Sequence, residues 1–255
     1  THCALAEIDT TADAAESHVI RITQLTGAKQ LERRSLLPAF VYFPTAAERP
    51  MALPWDAERE HAVGEYARQR GAEVPGRVVS SAKSWLCHPS ADRRAGMLPL
   101  SAASDIDAVS PVEASWRYLE HLSEAYEQET GRTLSDAEVV LTVPASFDAA
   151  ARELTVEAAI ASGIDKLTLL EEPQAALYAW LEAQGDAWRD QLKPGDVVLV
   201  VDVGGGTCDF SAIAVEDVAG ELSLERIAVG DHILLGGDHM DLALAHFVRP
   251  RLEGE

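Results

Sequence analysis

Residues 200–210 read VVDVGGGTCDF, an apolar run followed by an aspartate, three glycines, a threonine and a second aspartate. A carboxylate inside an apolar strand is unfavourable unless a cation or hydrogen-bond donors compensate it. Asp202 lies at the end of the run, where glycines at 204–206 can adopt a positive φ and let several backbone N–H groups point at one anion. Phosphate oxygens on this turn, bridged by Mg²⁺ to Asp202, would neutralise both charges. Thr207 adds a hydroxyl, and Asp209 could orient a water molecule.

Two familiar phosphate-binding motifs do not match this turn. The sequence contains no GxxxxGK[ST] loop, and GGGTCD lacks the spacing of a dinucleotide-binding GxGxxG. A tight hairpin turn whose aspartates cap backbone amides would give the same local pattern. On these residues alone, the phosphate site and the plain hairpin both stay open.

The composition is that of an ordinary folded protein, with 47% hydrophobic and 25% charged residues among 255. The formal net charge of −21 argues against a nucleic-acid or membrane partner, because most of the exterior would repel phosphate groups. Cys3, Cys87 and Cys208 are far apart in the sequence, so neither a disulfide framework nor a zinc site is predicted, and a reducing cytoplasm fits best. No apolar run approaches the roughly 20 residues of a membrane helix.

The elements that must position the turn alternate strands with helices, which predicts an α/β fold with antiparallel hairpins. Strands are predicted at 3–9, 18–25, 36–43, 138–147 (ended by Pro144), 166–173, 196–203 and 208–217. Helices are predicted to start at Ser110, Asp148 and Pro173 and to end at Gly131, Gly163 and Gly185.

Five motifs, in the same order along the chain, resemble those of the Hsp70 chaperone ATPase domain, a branch of the actin-like and sugar-kinase superfamily. They are LLPAFVYF at 36–43, VVSSAKSWLC at 78–87, VVLTVPASF at 139–147 with LLEEPQAAL at 169–177, VVDVGGGTCDFSAI at 200–213 and LGGDHMD at 235–241. Each motif is modest alone, but the set in this order is highly specific, and it extends over most of the chain.

The resemblance assigns a role to each candidate residue. Asp202 and Glu172 would hold Mg²⁺, through water, together with the attacking water molecule. Lys83 would reach the γ-phosphate and stabilise charge in the transition state, and Asp209 would position water or a monovalent cation such as K⁺. Thr207 would be a catalytic residue together with Lys83, Glu172 and Asp202. Pro144 matches the family's switch proline. The residues assigned to binding ATP or ADP are Thr1, Gly204, Gly205, Gly206, Thr207, Asp209, Gly236 and Gly237.

Two of these residues have a plain alternative. Without its flanking sequence, Lys83 is typical of a surface lysine. Glu172, beside Pro173 at a predicted helix start, could simply favour the helix dipole, and both roles can hold together.

The fold that the resemblance implies is the α/β actin-like ATPase fold, also called ribonuclease H-like, with mixed sheets and flanking helices. Residues 1–187 would form lobe I, with an inserted subdomain at about 36–110, and residues 188–255 the first part of lobe II. We expect the chain to be truncated at both ends, beginning inside the family's first phosphate loop and stopping before its adenosine-binding helix and peptide-binding domain. Such a chain is expected to bind ATP weakly or not at all.

The leading hypothesis is an Hsp70-type chaperone that couples Mg-ATP hydrolysis to the binding of unfolded polypeptide, with J-domain or exchange-factor co-chaperones as partners. The alternatives are a non-hydrolysing Hsp70-like regulator, a filament-forming ATPase and a sugar kinase. The inserted segment that carries Lys83 favours the Hsp70 branch over the kinases. Ser146 and Cys208, where the family usually has Tyr and Phe, indicate a divergent bacterial-type member.

A second group of polar residues lies near the end of the chain, at His232, Asp238, His239, Asp241 and His246. These are metal-ligand residue types, but their spacing fits no zinc pattern. No metal site is predicted there.

Overall fold

The computed structural model describes residues 2–11, 16–88, 90–230, 233 and 235–253. The chain divides into two compact units, which are described separately. Unit 1 comprises Thr1–Val139 with Glu153–Leu167, and unit 2 comprises Val140–Arg152 with Thr168–Glu255. None of the helices in the described ranges is both long and apolar enough to span a membrane.

The described part of unit 1 consists mainly of short antiparallel strands and helices. Its elements are β1 (His2–Cys3), β2 (Ala6–Ile8), β3 (Ser17–Val19), β4 (Ile22–Gly27), β5 (Gln30–Arg34), β6 (Leu37–Pro38), β7 (Val41–Tyr42), β8 (Ala62–Val63), α1 (Glu65–Glu73), β9 (Val78–Val79), α2 (Ala82–Leu86) and α3 (Pro111–Thr130). The strands pair as β1 with β6, β2 with β3, β4 with β5, and β8-β7-β9. The result is several small sheets rather than one large one.

The core of unit 1 gathers apolar side chains from β4, β7, α1 and the loops between them. Its buried members are Leu25, Tyr42, Met51, Leu53, Ala62, Ala67 and Val78. Gln24, also on β4, is fully buried, donating from Nε2 to the carbonyl of Leu36 at 2.9 Å and accepting from the amide of Glu65 at 2.9 Å. Both hydrogen bonds satisfy buried polar atoms, so Gln24 joins β6 to the start of α1.

Unit 2 holds a three-stranded antiparallel sheet in the order β12 (Val197–Val203), β13 (Cys208–Val218) and β14 (Glu221–Val229). Its other elements are β11 (Leu167–Glu171), which pairs with β10 (Val139–Val143), and the helices α5 (Glu172–Gln184), α6 (Trp188–Gln191) and α7 (Gly237–Glu253). Three of the described elements cross the division between the units: β10 after Val139, α4 (Ala149–Ala161) after Arg152, and β11 after Leu167.

Successive side chains along β12 and β13 point to opposite faces of the sheet, and one of these faces is buried. Val200 lies opposite Ser211 and Asp202 opposite Asp209, so these side chains share one face. Asp209, Ser211, Ile213 and Val215 are buried on that face. The opposite face carries the exposed side chains of Val197, Leu199, Val201 and Val203.

Several sequence predictions are confirmed. Ser110 accepts a hydrogen bond from the amide of Glu113 at the start of α3, and Asp148 accepts one from the amide of Ala151 at the start of α4. Gly131 and Gly163 have the positive φ angles, 69° and 84°, expected of helix ends. The chain is mixed α/β, as predicted, and the predicted hairpin is present as β12 and β13.

Other predictions are wrong in detail. The single strand predicted at 36–43 is two short strands, β6 and β7, because Pro38 has no amide proton for a continuing ladder. The two N-terminal strands are four, and β5 and β14 were not predicted. The division into lobes I and II at residue 187 stays a prediction.

Two buried histidines in unit 1 are held neutral. Burial and the nearby Arg117 and Arg59 lower the pKa of His61 to about 3, and burial with Arg59 lowers the pKa of His121 to about 4. The contacts fit neutral rings: Nδ1 of His61 lies 3.0 Å from the Arg117 guanidinium, a donor, and Nε2 of His121 lies 3.0 Å from the carbonyl of Thr23.

We predict that acid destabilises unit 1 through these two histidines. In the unfolded chain each binds a proton near pH 6.5, while the folded rings stay neutral, so stability falls as the pH drops below 6.5. The loss at pH 5 is about 2 kcal/mol for each histidine. Urea unfolding at pH 7, 6 and 5 measures it, and the His61→Gln/His121→Gln double variant should show a flatter profile. An equal decline in both proteins would contradict the assignment.

Candidate functional site

The glycine turn between β12 and β13 is closed by its own backbone. The amide of Gly204 donates to the carbonyl of Thr207 at 2.8 Å, and the amide of Cys208 donates to the carbonyl of Ile233 at 2.9 Å. Gly206 and Thr207 are buried. The recorded positive φ angles of glycines lie elsewhere in the chain, so the expected left-handed glycine geometry is not what shapes this turn.

The start of α7 packs directly on the turn. The amides of Gly237 and Asp238 donate to the carbonyls of Gly204 and Gly205 at 3.0 and 2.9 Å. A Cβ placed on Gly236 would lie 2.5 Å from the carbonyl oxygens of both Gly204 and Gly205. Glycine at 236 is therefore required by a close approach of backbone to backbone.

The same contacts leave one set of backbone donors unused. The carbonyls of Gly204 and Gly205 are bound to α7, whereas the amides of Gly205, Gly206 and Thr207 donate no hydrogen bond within the described residues. Buried amide donors are normally paired, so the amides of the buried Gly206 and Thr207 call for an acceptor beyond those that the described residues provide. Successive N–H groups on a turn are the usual backbone site for an anion.

Asp202 and Asp209 face each other directly across the hairpin. Like charges in this arrangement are destabilising unless a donor or a cation lies between or beside them. Asp209 is 3% exposed, and its Oδ1 accepts a hydrogen bond from the hydroxyl of Ser146 at 2.7 Å. Asp202 is partly exposed. The hairpin thus holds two carboxylates beside three amide donors.

Glu172 is the first residue of α5, and the buried Pro173 follows it. This placement follows from the sequence, since proline is favoured in the first turn of a helix. Helix α5 packs against β12, the strand that carries Asp202. The glutamate, the two aspartates and the glycine turn all belong to unit 2.

Lys83 belongs to unit 1, on the short helix α2, and its side chain is half-buried. The residue before α2, Ser81, has a φ of 55° and a ψ of 26°, a left-handed conformation that is uncommon for serine. Such backbone strain is often found at functional sites. The strained residue therefore lies in the same segment as Lys83, the residue predicted to reach the γ-phosphate.

The remaining predicted positions divide into two groups. Thr1 and His232 lie outside the described residues. Gly236 and Gly237 contact the turn through their backbone, as described above. Within the described ranges no group of three or more His, Cys, Asp or Glu side chains is placed to hold a metal ion.

Sequence reasoning missed the polar contacts that support the site. Ser146 was noted only as a departure from the family, although its hydroxyl binds Asp209. Arg152 and Glu171 form an ion pair at 2.9 Å that was not foreseen. The partners in each contact are far apart in the sequence, so no local pattern predicts the pairing. The one available indication is that a serine and an arginine, both able to donate to carboxylates, lie in the segment after Pro144.

Comparison with known proteins identifies the family. A sequence model described as Hsp70 protein matches residues 48–255, more than half of the chain. The chain belongs to the Hsp70 family.

Its relatives include bacterial proteins named HscA. "Chaperone protein HscA" of Xenorhabdus nematophila is 32% identical over 243 residues, covering 91% of this chain and 35% of the relative. The protein of the same name from Edwardsiella ictaluri is 34% identical over 203 residues, covering 74% of this chain and 30% of the relative. "Chaperone protein HscA homolog" of Actinobacillus pleuropneumoniae is 32% identical over 229 residues, covering 85% and 33%. The chain spans about a third of the length of these relatives.

We predict that Gly236→Ala separates α7 from the glycine turn. The added methyl group meets backbone atoms at 2.5 Å that cannot rotate away, so unit 2 should lose about 1–3 kcal/mol of stability. Urea unfolding measures the loss, and hydrogen exchange should show faster exchange at the amides of Gly237 and Asp238.

Gly237→Ala is the matched control, because its Cβ would meet the turn at an ordinary 3.9 Å. Alanine also favours helix at this first position of α7, so its stability should stay within about 0.5 kcal/mol of the parent or rise. Equal destabilisation by the two substitutions would show that the close approach at Gly236 is not the constraint.

Proposed function

We propose that the glycine turn of unit 2 binds the phosphates of ATP or ADP with Mg²⁺, as part of the ATPase domain of an Hsp70-type chaperone. One observation carries the proposal: the amides of Gly205, Gly206 and Thr207 donate no hydrogen bond within the described residues, although two of the three residues are buried. Phosphate oxygens are strong acceptors that suit such a set of donors. Membership of the Hsp70 family supports the same ligand.

The donor set also fits Mg²⁺. This ion is usually held by one or two carboxylates and substrate phosphates while it keeps several waters. Asp202 is on the hairpin beside the amides, opposite Asp209, and Glu172 begins the helix that packs against Asp202's strand. We assign Asp202 and Glu172 to the ion through water, and Asp209 to a water molecule or a monovalent cation such as K⁺. Bound Mg²⁺ would neutralise phosphate charge.

Hydrolysis of a phosphate anhydride depends mainly on positioning and on positive charge at the transferred group. We assign that charge to Lys83. Glu172 and Asp202 orient the attacking water, while Thr207 and the glycine amides hold the phosphates in place. In this assignment the carboxylates would hold the metal and the water, and the amides would hold the phosphates, so each group would stabilise the charge opposite to its own.

The finer structural assignments belong to the same proposal. We propose the actin-like ATPase fold, with residues 1–187 as lobe I, an inserted subdomain at about 36–110 and residues 188–255 as the beginning of lobe II. Family membership supports this fold, and the small mixed sheets of the two units are consistent with it.

The relatives' name suggests the wider role. We propose that hydrolysis is coupled to the binding of unfolded polypeptide, with co-chaperones of the J-domain or exchange-factor type as partners. We place the protein in the cytoplasm, because the three described cysteines form no disulfide and a reducing compartment suits them. Weak binding of ATP by this 255-residue chain remains our expectation.

We predict that Mg-ATP shifts the amide resonances of Gly205, Gly206 and Thr207 more than those of the described glycines elsewhere in the chain. Two-dimensional ¹⁵N–¹H spectra at millimolar ligand detect weak binding, so the test does not require high affinity. AMP, which lacks the β- and γ-phosphates, should give much smaller shifts at the same positions. Asp202→Asn should reduce the Mg²⁺ dependence of the shifts.

The spectra would contradict the proposal in either of two cases. The shifts could centre away from the turn, or AMP and Mg-ATP could perturb the turn equally. The second result would assign binding to the adenosine moiety instead of the phosphates.

We predict that Lys83→Ala lowers the single-turnover rate of ATP hydrolysis by about 100-fold or more, since it removes the charge assigned to the transferred phosphate. Lys29→Ala is the matched control, because Lys29 is exposed on the turn between β4 and β5 of the same unit. Hydrolysis that is unchanged by Lys83→Ala would favour the non-catalytic role for Lys83. An absence of hydrolysis in the parent, together with phosphate-specific binding, would favour the non-hydrolysing regulator.

A further inference from the structure

The segment that follows Pro144 is tied to the rest of unit 2 at two points. Near its start, the hydroxyl of Ser146 donates to Oδ1 of Asp209 on the hairpin at 2.7 Å. At its end, Nη2 of Arg152 donates to Oε1 of Glu171 at 2.9 Å, while Nε of Arg152 donates to the carbonyl of Phe147 at 3.1 Å. The first contact leads to the glycine turn, and the second leads to the start of α5.

Glu171 is the meeting point of three elements. It ends β11 and precedes α5, and it pairs with Arg152 from α4 and with Arg226 from β14. Its side chain is only 13% exposed, compared with 29% for Arg152 and 34% for Arg226. Hydrogen bonds between ionised groups are stronger than those between neutral groups. Dissolved salt also screens a partly buried ion pair less than it screens a pair at the surface.

The residues that follow Glu171 connect this cluster to the start of α5. The next residue is Glu172, and the one after it is Pro173, which is buried and has a fixed φ. Glu172 therefore lies between an anchored side chain and a rigid ring. Little backbone freedom remains at this position while the two arginines hold Glu171.

We propose that Glu171 is a positioning residue: its carboxylate, held by Arg152 and Arg226, fixes the start of α5 and thereby the side chain of Glu172. It acts through Glu172 and does not touch the ligand. The proposal rests on the proposed function for the role of Glu172, but the anchoring of α5 is a property of the protein without nucleotide. The same carboxylate ties the end of the segment after Pro144 to the start of the helix that presents Glu172.

Glu171→Gln tests this directly, because it keeps the size of the side chain but removes the charge that holds two guanidinium groups together. In the nucleotide-free protein we expect faster hydrogen exchange in two places, residues 146–152 and the first turn of α5, with β12 and β13 unchanged. In single-turnover hydrolysis we expect a rate about tenfold lower, with apparent affinity for Mg-ATP within twofold of the parent.

Two further variants separate positioning from general loss of structure. Arg226→Gln should change exchange and rate in the same direction as Glu171→Gln, and the double variant should be less than additive, as expected for contacting partners. Glu225→Gln removes a neighbouring charge from an exposed position on β14 and should change neither exchange nor rate. The proposal is overturned if Glu171→Gln leaves exchange at the start of α5 unchanged, or if its rate falls only in proportion to a fall in affinity.

A failure of the proposed function would look different. If the parent protein neither binds nor hydrolyses Mg-ATP, that function is wrong, whereas the exchange measurements still decide whether Glu171 anchors α5. If the parent hydrolyses ATP and Glu171→Gln loosens α5 without slowing hydrolysis, the anchoring stands and the positioning of Glu172 is refuted.

Discussion

The contact between the start of α7 and the glycine turn is the constraint on which the candidate site in unit 2 depends. Two amides of α7 bind the carbonyls of Gly204 and Gly205, and Gly236 permits the approach because it has no side chain. Each hydrogen bond contributes only about 1 kcal/mol net. Their larger effect is directional, since the turn is held with its carbonyls toward α7 while three of its amides have no acceptor among the described residues. The proposed anion site follows from how the turn is fixed.

Charge is the second constraint on this site. The chain carries a net charge of −21, and Asp202 and Asp209 add two facing carboxylates beside the place where an anion would bind. Amide donors alone would have to attract a phosphate against that field. A divalent cation shared by carboxylate and phosphate resolves the conflict, which is why metal and nucleotide belong to one proposal. Ser146 and the cluster at Glu171 stabilise the surrounding segments without adding to the negative charge.

The sequence predicted this hairpin because its signals are local. The apolar alternation, the glycines and the aspartates all lie within residues 196–217, and the caps at Ser110 and Asp148 depend on residues three positions apart. The contacts that complete the site are not local. Gly236 reaches back to the turn through backbone atoms, Ser146 meets Asp209 across 63 positions, and Glu171 gathers arginines from two other elements. Side-chain type alone does not specify such pairings, and β5, whose single apolar residue is Leu31, carries too little pattern to be recognised.

The central claim, that the hairpin of unit 2 binds a metal-phosphate pair, is tested most directly with a paramagnetic ion. Replacing Mg²⁺ by Mn²⁺ in the presence of ATP broadens amide resonances steeply with proximity to the ion, and it does so even for weakly bound ligands. The account predicts broadening centred on residues 202–209, 236–238 and 172, and much less of it with Mn²⁺ alone. Broadening that is independent of ATP and spread over the acidic surface, or centred on another part of the chain, would contradict it.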